Sequence, residues 1–185
     1  MTPRAPATVL LKIEPDVQGE VDRALRRRLH RRCRRMVTAL GLGGAELSVL
    51  LAGDVTVARL NETWRKKRGT TDVLSFPQAT PDLISAWTAS PPGVAGDGPE
   101  RVLGDLVISL DVVRRRSPAP DTFELDLVTL LAHGLLHLVG HDHGDARDRR
   151  AMVALQDRLV TEARSRGRVR RLFASDNDPL RDGYL

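Results

Sequence analysis

The spacing of apolar and polar residues along the chain predicts short strands that alternate with helices. Aliphatic, β-branched runs are typical of strands, and they occur at 7–13, 46–52, 72–76 and 103–110. Apolar residues that recur every three or four positions are typical of one helix face, and they occur at about 19–40, 54–64, 111–116, 121–139 and 145–164. We find no internal repeat, so the pattern predicts one domain over residues 1–166.

Two of the predicted helices differ in character. The helix at 121–139 is apolar nearly all round, as expected at the centre of a domain, and Asp121 with Glu124 gives it a capping-box signature. The helix at 19–40 has one apolar stripe, and its other faces carry arginines. These are Arg23, Arg26, Arg27, Arg28, Arg31, Arg32, Arg34 and Arg35. They form either a solvated face or a surface for a polyanion, and the sequence leaves both interpretations open.

Three other segments carry weaker expectations. Residues 78–100 contain several prolines and little periodicity, so we expect a long, mobile surface excursion. In the helix at 54–64, Asp54 is the predicted N-cap, and Val55 and Trp64 are expected to face the core. Residues 167–185 are first basic and then rich in Asp, Pro and Gly, so we expect a flexible tail.

Composition limits the class of protein. A length of 185 residues with 41% apolar residues suits one domain with a substantial core. The single cysteine, Cys33, excludes an intramolecular disulfide and fits a reducing compartment. The N-terminus lacks the apolar run of a signal peptide, and no segment reaches the roughly 20 apolar residues that cross a bilayer. We therefore expect a cytoplasmic protein, whose net charge of +5 permits a polyanionic partner without requiring one.

The candidate chemistry is concentrated in one stretch, since four of the five histidines fall between His133 and His143. His133 and His137 are four residues apart, so they share one face of the predicted central helix and can hold one ion. Gly140 is placed to end that helix in a left-handed turn, which would bring His143 back towards the ion. Three neutral imidazoles with one open position are the ligands of a catalytic zinc site, with nickel, copper and cobalt as rivals by affinity order. We expect one Zn²⁺ per chain.

The spacing of this cluster is that of the metzincin peptidases, H-E-x-x-H-x-x-G-x-x-H. In zinc peptidases the residue after the first His is a glutamate that serves as general base, whereas this chain has Gly134. A peptidase mechanism of that type lacks its base, while other metal-assisted hydrolysis stays open. Asp142 is either a residue that orients a ligand or a solvated turn residue. His141 is expected at the surface, with a surrogate metal ligand in a mobile turn as the alternative, and His30 is expected to be solvated.

Three motifs together resemble the YbeY family of bacterial metal-dependent endoribonucleases. Residues 133–143 match the family signature H-G-x-L-H-L-x-G-Y-D-H at every specified position except His141, where the family usually has Tyr. The segments 60–77 and 103–109 resemble two further motifs of the family, in the same order along the chain. The resemblance covers roughly residues 7–160.

The resemblance implies a single α+β domain in which about five helices pack on a small mixed β-sheet, with the metal ligands on the central helix. It implies that His133, His137 and His143 bind zinc and that Arg65 is the functional arginine, whose guanidinium suits a phosphate. It also implies single-strand-specific endoribonuclease activity in 16S rRNA 3′-end maturation and ribosome quality control. The implied partners are ribosomal RNA, proteins of the small ribosomal subunit and the assembly GTPase Era.

The loop after Arg65 carries further expectations. Lys66, Lys67 and Arg68 would follow the RNA backbone beside Arg65. Thr70 stands where the family often has Pro, and this replacement is expected to loosen the loop. Two other functions remain as alternatives: a zinc hydrolase that resembles a metallopeptidase, and a non-catalytic ribosome-assembly factor in which the zinc is structural.

Overall fold

The predicted strands pair into one mixed sheet in a computed structural model of the chain, which describes residues 6–89, 101–141 and 146–172. The strands are β1 (Thr8–Ile13), β2 (Glu46–Ala52), β3 (Val73–Pro77) and β4 (Val102–Ser109). They lie in the order β1-β2-β4-β3, so β1 and β3 form the two edges. Neighbours are parallel from β1 to β2 and from β2 to β4, whereas β3 runs antiparallel to β4. The predicted α+β class with a small mixed sheet is confirmed.

Six α-helices connect and cover these strands within the described ranges. They are α1 (Arg23–Ala39), α2 (Asp54–Arg65), α3 (Pro81–Ala89), α4 (Leu110–Arg116), α5 (Pro120–Leu138) and α6 (Ala146–Arg164), with a single 3₁₀ turn at Gln18–Glu20. All except α3 agree with the predicted helices to within a few residues. No helix in the described part of the chain is long and apolar enough to span a membrane.

The main core lies on the inner face of the sheet. Here α5 packs on β3 and β4 and also contacts α1 and α6. Ten residues of α5 are buried, which uses most of its apolar surface and explains why the sequence is apolar on every side of this helix. The predicted central, buried helix is therefore confirmed.

The outer face of the sheet is only partly covered. α2 lies across one end, where Val57 packs with Leu74 and Val107 in a small second cluster. Further along the same face, Leu10 of β1 is 52% exposed. An apolar side chain left open on a sheet face enlarges the surface that is available to a partner.

Two predictions for α2 are wrong. The N-cap is Gly53 rather than Asp54, which is the first helical residue. Val55 and Trp64 are 84% and 67% exposed, whereas Val57 is fully buried. The physical reason is the partial cover of the outer face: a helix at one end of a sheet buries only a narrow stripe of its surface, so apolar residues also fall outside that stripe.

The predicted capping box at the start of α5 is also wrong. Pro120 occupies the first turn, before Asp121, and no side chain caps the helix. Proline suits this position because its missing N–H would lack a helical partner anyway. The carboxylate of Glu124 is instead bound by Arg28 and Arg32 of α1, at 2.8 and 2.6 Å.

Part of the segment 78–100 is helical, although its composition predicts an irregular surface excursion. Its first part forms α3, in which Ile84 is buried against the core. The prediction of a long irregular segment is therefore wrong for residues 81–89, and residues 90–100 lie outside the described ranges.

The beginning of the predicted flexible tail folds back on the domain. Leu172 is buried, and its backbone N–H donates to the carbonyl of Ala39 at the end of α1. A guanidinium of Arg158 also donates to the carbonyl of Leu172, at 2.9 Å. The remaining residues of that tail, 173–185, lie outside the described ranges.

Candidate active site

The two histidines of α5 face each other across one helical turn. Nε2 of His133 and Nε2 of His137 lie 3.2 Å apart, and the two ring planes meet at 79°. Two imidazole nitrogens on one tetrahedral zinc ion, each about 2.0–2.1 Å from it, are about 3.3–3.4 Å apart. The observed spacing fits this requirement, so the pair can hold a zinc ion with little rearrangement.

Gln156 of α6 sets the orientation of the first histidine. Its Oε1 lies 3.0 Å from Nδ1 of His133. Because an amide oxygen only accepts hydrogen bonds, this contact favours the tautomer of His133 that carries its proton on Nδ1 and a lone pair on Nε2. Histidines that bind metals commonly donate their other N–H to such an acceptor. The sequence gives no signal for this role, because Gln156 is an ordinary polar residue beside the core positions of α6.

The end of α5 has the predicted left-handed turn. Gly140 has a φ of +96°, and the N–H of His141 donates to the carbonyl of Leu136 at 3.0 Å. The turn brings His141 back beside the pair, where it is only 8% exposed, so its expected surface position is wrong. Burial, with a smaller effect from His137, lowers the pKa of His141 to about 4, and the ring is therefore neutral at pH 7.

The third predicted ligand, His143, and its neighbour Asp142 lie outside the described residues. Within the described ranges, no group of three His, Cys, Asp or Glu side chains is arranged to hold a metal ion. The described part of the predicted metal site is the pair His133 and His137. The set of three histidines stays a prediction.

Gly134 faces the sheet rather than the histidine pair. A Cβ atom here would lie 2.8 Å from Cδ2 of Leu106 and 3.2 Å from Oγ of Ser75 and Cγ2 of Val73. The hydroxyl of Ser75 donates to the carbonyl of Gly134 at 3.2 Å. Glycine thus allows α5 to approach β3 and β4 closely, and a glutamate at this position would enter the sheet.

Arg65 is the last residue of α2, and Asn61 fixes the turn that follows it. The side chain of Asn61 is buried and donates to the carbonyl of Gly69 at 2.9 Å. Its backbone carbonyl accepts from the N–H of Lys66, which ends the helix in a left-handed conformation with a φ of 56°. One buried amide therefore links both ends of the basic loop and positions Arg65.

Thr70 anchors the far side of this loop. Its hydroxyl donates to Asp54 at 3.1 Å, and the same carboxylate accepts from Ser109 at 2.7 Å and from Arg115 at 2.6 Å. Burial opposes the ionisation of Asp54, but these hydrogen bonds outweigh it and lower its pKa. The loosening expected from a threonine in place of proline stays a prediction.

One cleft of about 620 Å³, which we call the histidine cleft, joins these parts of the chain. Its described lining residues are Arg65, Thr71, Asp72, Val73, Ser75, Pro77, His133, His137, Gly140 and His141. The structure therefore places Arg65 in the same cleft as the histidine pair, although they are far apart in sequence. Lys66, Lys67 and Arg68 are exposed and are not among these lining residues.

The acidic residue of the cleft is paired with a cation. A carboxylate oxygen of Asp72 lies 3.1 Å from the guanidinium of Arg116, which also binds Asp126 at 2.7 Å. This pairing reduces the repulsion that Asp72 would otherwise exert on an anion in the cleft. The sequence indicates neither Asp72 nor Asn61 as a site residue, because both act through contacts between distant elements.

A family match and two relatives of this chain carry the same description. The family described as Endoribonuclease YbeY matches residues 13–164. Relatives with this description include a Myxococcus xanthus protein, 46% identical over 130 residues, which are 70% of this chain and 40% of that protein. An Anaeromyxobacter protein is 41% identical over 148 residues, which are 80% of this chain and 68% of that protein. The matched region thus spans less than half of the Myxococcus relative.

A solved structure supports the fold. The solution structure of TM1509 from Thermotoga maritima matches with a TM-score of 0.51 and 21% identity, covering 84% of this chain and 89% of that one. The family match includes all three motifs that carry the resemblance, from the segment at 60–77 to the histidines of α5. The chain belongs to the YbeY endoribonuclease family.

Proposed function

We propose that this protein is a zinc-dependent, single-strand-specific endoribonuclease. The observation that carries the proposal is the histidine cleft, in which a pair of metal-competent imidazoles and a guanidinium line the same space. Imidazoles suit a divalent metal ion, and a guanidinium suits the phosphate on which such an ion acts. Membership of the family supports the same reaction.

His133 and His137 would hold the zinc ion through Nε2, with His143 as the third ligand. When bound, zinc supplies Lewis acidity that makes the phosphorus of the scissile bond more electrophilic. Gln156 keeps the proton of His133 on Nδ1, so Nε2 is ready to bind without a change of tautomer. Asp142 beside His143 is a candidate for the same kind of support on the other side of the site.

Arg65 would bind the phosphate that is cleaved. Its guanidinium can donate two parallel hydrogen bonds to two phosphate oxygens and stabilise the charge that develops on them. The turn held by Asn61 fixes the residue from which this side chain extends. The attacking group is either water or the 2′-hydroxyl of the substrate, and the product ends distinguish them. A 2′,3′-cyclic phosphate results from the hydroxyl, and a 5′-phosphate without a cyclic end results from water.

The position of Gly134 favours a phosphodiester over a peptide substrate. Peptidases with this histidine spacing need a carboxylate base on the residue after the first histidine. Here that residue is a glycine, which supplies no carboxylate, and Leu106 and Val73 approach it too closely to leave room for a larger side chain. A phosphodiester cleaved through its own ribose hydroxyl, or with help from a metal ion, does not require that carboxylate.

The family also supports a biological role. We propose that the substrate is the 3′ region of 16S rRNA and that the enzyme contributes to ribosome quality control. Proteins of the small ribosomal subunit and the GTPase Era are the proposed partners. Lys66, Lys67 and Arg68 are exposed and follow Arg65 in the chain, and we propose that they contact RNA that leaves the cleft.

The test combines zinc analysis with an RNA cleavage assay on the wild type, His137→Ala and Arg65→Ala. We expect about one zinc per wild-type chain, loss of zinc and activity in His137→Ala, and retained zinc in Arg65→Ala. Loss of the guanidinium should lower kcat roughly 10²–10³-fold, as loss of one transition-state hydrogen-bond donor does. Arg65→Lys should recover only part of this loss, because an ammonium group cannot bind phosphate in a bidentate manner.

Arg59→Ala is the matched control, because Arg59 is an exposed arginine of the same helix and does not line the cleft. It should retain wild-type activity. Equal activity in all variants would indicate a contaminating nuclease and overturn the proposal. Cleavage of casein but not RNA would favour the peptidase alternative, and rRNA processing that persists in His137→Ala cells would favour a structural zinc.

A further inference from the structure

A second concave surface lies at the edge of the sheet furthest from β3. The arginine-rich face of α1 and the edge strand β1 enclose a groove of about 940 Å³, which we call the arginine groove. Its lining cations are Lys12, Arg26, Arg27, Arg31, Arg34 and Arg35. None of the described residues that line it is acidic. The groove therefore has the electrostatic character of a site for a polyanion.

Six of the eight arginines of α1 fall into two groups with different surroundings. Arg28 and Arg32 form ion pairs with Glu124 of α5, and Arg35 pairs with Glu162 of α6 at 2.7 Å. These three arginines attach α1 to the helices of the core. Their role in packing accounts for part of the arginine content of this helix without any ligand.

The second group has no such role. Arg27, Arg31 and Arg34 follow one another at a spacing of about one helical turn, and their side chains therefore lie on one face of α1. Their guanidinium groups form no ion pair or hydrogen bond with a described residue. Arg27 and Arg31 are also exposed. These charges remain available to a ligand.

The arginine groove is continuous with the histidine cleft. A third depression of about 950 Å³, which we call the sheet groove, crosses the open outer face of the sheet. It shares Leu10 and Lys12 with the arginine groove, and it shares Arg65, Ser75 and Pro77 with the histidine cleft. The distance between the two edge strands is three strand spacings, or about 14 Å. A single extended strand of a ligand can therefore reach from one to the other.

The sheet groove offers contacts of a different kind. Trp64 is 67% exposed there and meets Phe76 edge-on, with ring centroids 6.2 Å apart. An exposed indole is a surface on which an unpaired base can stack. Glu14 and Asp105 also line this groove, so phosphates are bound more favourably in the arginine groove than in the middle.

We propose that the arginine groove binds the phosphate backbone of the same RNA strand whose scissile bond lies in the histidine cleft. This inference rests on the proposed ribonuclease function. A single-stranded RNA fits because the charges lie at one end, an aromatic surface lies between, and the metal-competent pair lies at the other end. Arg27 and Arg31 would each contact a phosphate and so increase affinity for substrates long enough to span the sheet.

The test replaces these two arginines in the full chain, as Arg27→Gln with Arg31→Gln. Arg59→Gln with Arg150→Gln is the matched control, because it removes two exposed helical arginines that line none of the three surfaces. Binding of labelled oligouridine is measured by fluorescence anisotropy, with about 2 and about 16 nucleotides, at several salt concentrations. The His137→Ala background prevents cleavage during the titration.

Two lost contacts to a single strand should reduce the slope of log affinity against log salt by about 1.4. If the groove variant and the control bind equally well at 1 M salt, this difference in slope makes the variant bind the long oligonucleotide about 25-fold more weakly at 0.1 M salt. The short oligonucleotide, which cannot span the sheet, should bind equally well to the groove variant and the control. The melting temperature should not change, because the replaced side chains are exposed and form no ion pair or hydrogen bond with a described residue.

Equal losses in the groove variant and the control would overturn the inference, and so would equal losses for the long and short oligonucleotides. Reduced binding of polyglutamate, or of vesicles containing phosphatidylserine, with unchanged RNA affinity would assign the groove to another partner. The two proposals fail separately. A wild-type protein that cuts no RNA while the groove variant binds long RNA weakly refutes the nuclease and supports the groove. If the wild type cuts RNA and the groove variant binds long RNA as tightly as the control does, the nuclease is supported and the groove is refuted.

Discussion

The ion pairs between α1 and α5 give a quantitative prediction for Glu124→Gln. In the structure, the carboxylate of Glu124 accepts a bifurcated hydrogen bond from Nε of Arg28, at 3.0 Å to Oε1 and 3.1 Å to Oε2, and a second hydrogen bond from Nη2 at 2.8 Å. Arg32 lies 2.6 Å from the other carboxylate oxygen. The substitution keeps the size of the side chain and removes its charge, so it tests the electrostatic contribution to this helix contact.

The magnitude depends on how exposed each arginine is. The Arg28 side chain is 38% exposed, so solvent screening limits this pair to about 0–1 kcal/mol. The Arg32 side chain is only 15% exposed, so removing the charge of Glu124 leaves a largely buried guanidinium without its partner, which costs less than the roughly 3–5 kcal/mol of a fully buried ion pair. Because the glutamine amide retains one accepted hydrogen bond, we expect a loss of about 2 kcal/mol. For a domain of this size, that loss lowers Tm by about 4–8 °C.

The effect should depend on pH in a defined direction. Burial opposes the ionisation of Glu124, but the hydrogen bond from Arg28 and the charge of Arg32 outweigh it and lower the pKa of the carboxyl group in the folded protein. A group with a lowered folded pKa stabilises the protein above its unfolded pKa, about 4.3 for glutamate, and loses this contribution as the pH falls. The difference in Tm between wild type and Glu124→Gln should therefore be constant from pH 7 to 5 and shrink below that range.

Thermal melting followed by circular dichroism at several pH values measures both quantities. Glu62→Gln is the control, because Glu62 is an exposed glutamate of α2 without a described ion pair, and its substitution should change stability by less than about 0.5 kcal/mol. A Tm for Glu124→Gln equal to the control at pH 7 would refute the assigned contribution. A difference that grows as the pH falls would refute the assigned direction of the pKa shift.

Two further predictions concern single contacts. Gln156→Ala removes the acceptor that orients His133, so zinc affinity, measured by competition with a chromogenic chelator, should fall about 10–100-fold; an unchanged affinity would show that the tautomer needs no support. Gly104→Ala should lower the free energy of unfolding by more than about 3 kcal/mol, because φ is +133° and the new Cβ would overlap the carbonyl of Phe76. Gly19→Ala meets nothing within 4 Å and should leave the denaturation midpoint nearly unchanged, and similar midpoints for the two variants would contradict this account.

Local patterns predicted most of the elements and the histidine pair of the candidate site. His133 and His137 form a pair because two residues four apart share a helix face, whatever the rest of the fold. Gly140 ends α5 because a left-handed turn strongly favours glycine. Such features depend on a few neighbouring residues, and the sequence reports them directly.

Contacts between distant elements were not predictable in this way. The place of Arg65 beside the histidines depends on β3 pairing antiparallel to β4, and only the family resemblance indicated it. The support from Gln156 depends on how α6 packs on α5, and the exposure of Trp64 depends on how much of the sheet α2 covers. Each of these is set by tertiary packing, which overrides what the local pattern favours.

The edge strand β1 shows another consequence of the basic helix beside it. A guanidinium nitrogen of Arg26 donates to the carbonyl of Leu11 at 3.2 Å, and Nε2 of His30, a half-buried residue that the sequence placed in solvent, lies 3.1 Å from the carbonyl of Val9. Unpaired strand edges are templates on which a second molecule can add a strand and begin to aggregate. Because side chains of α1 already bind these two acceptors, intermolecular strand pairing along β1 is disfavoured.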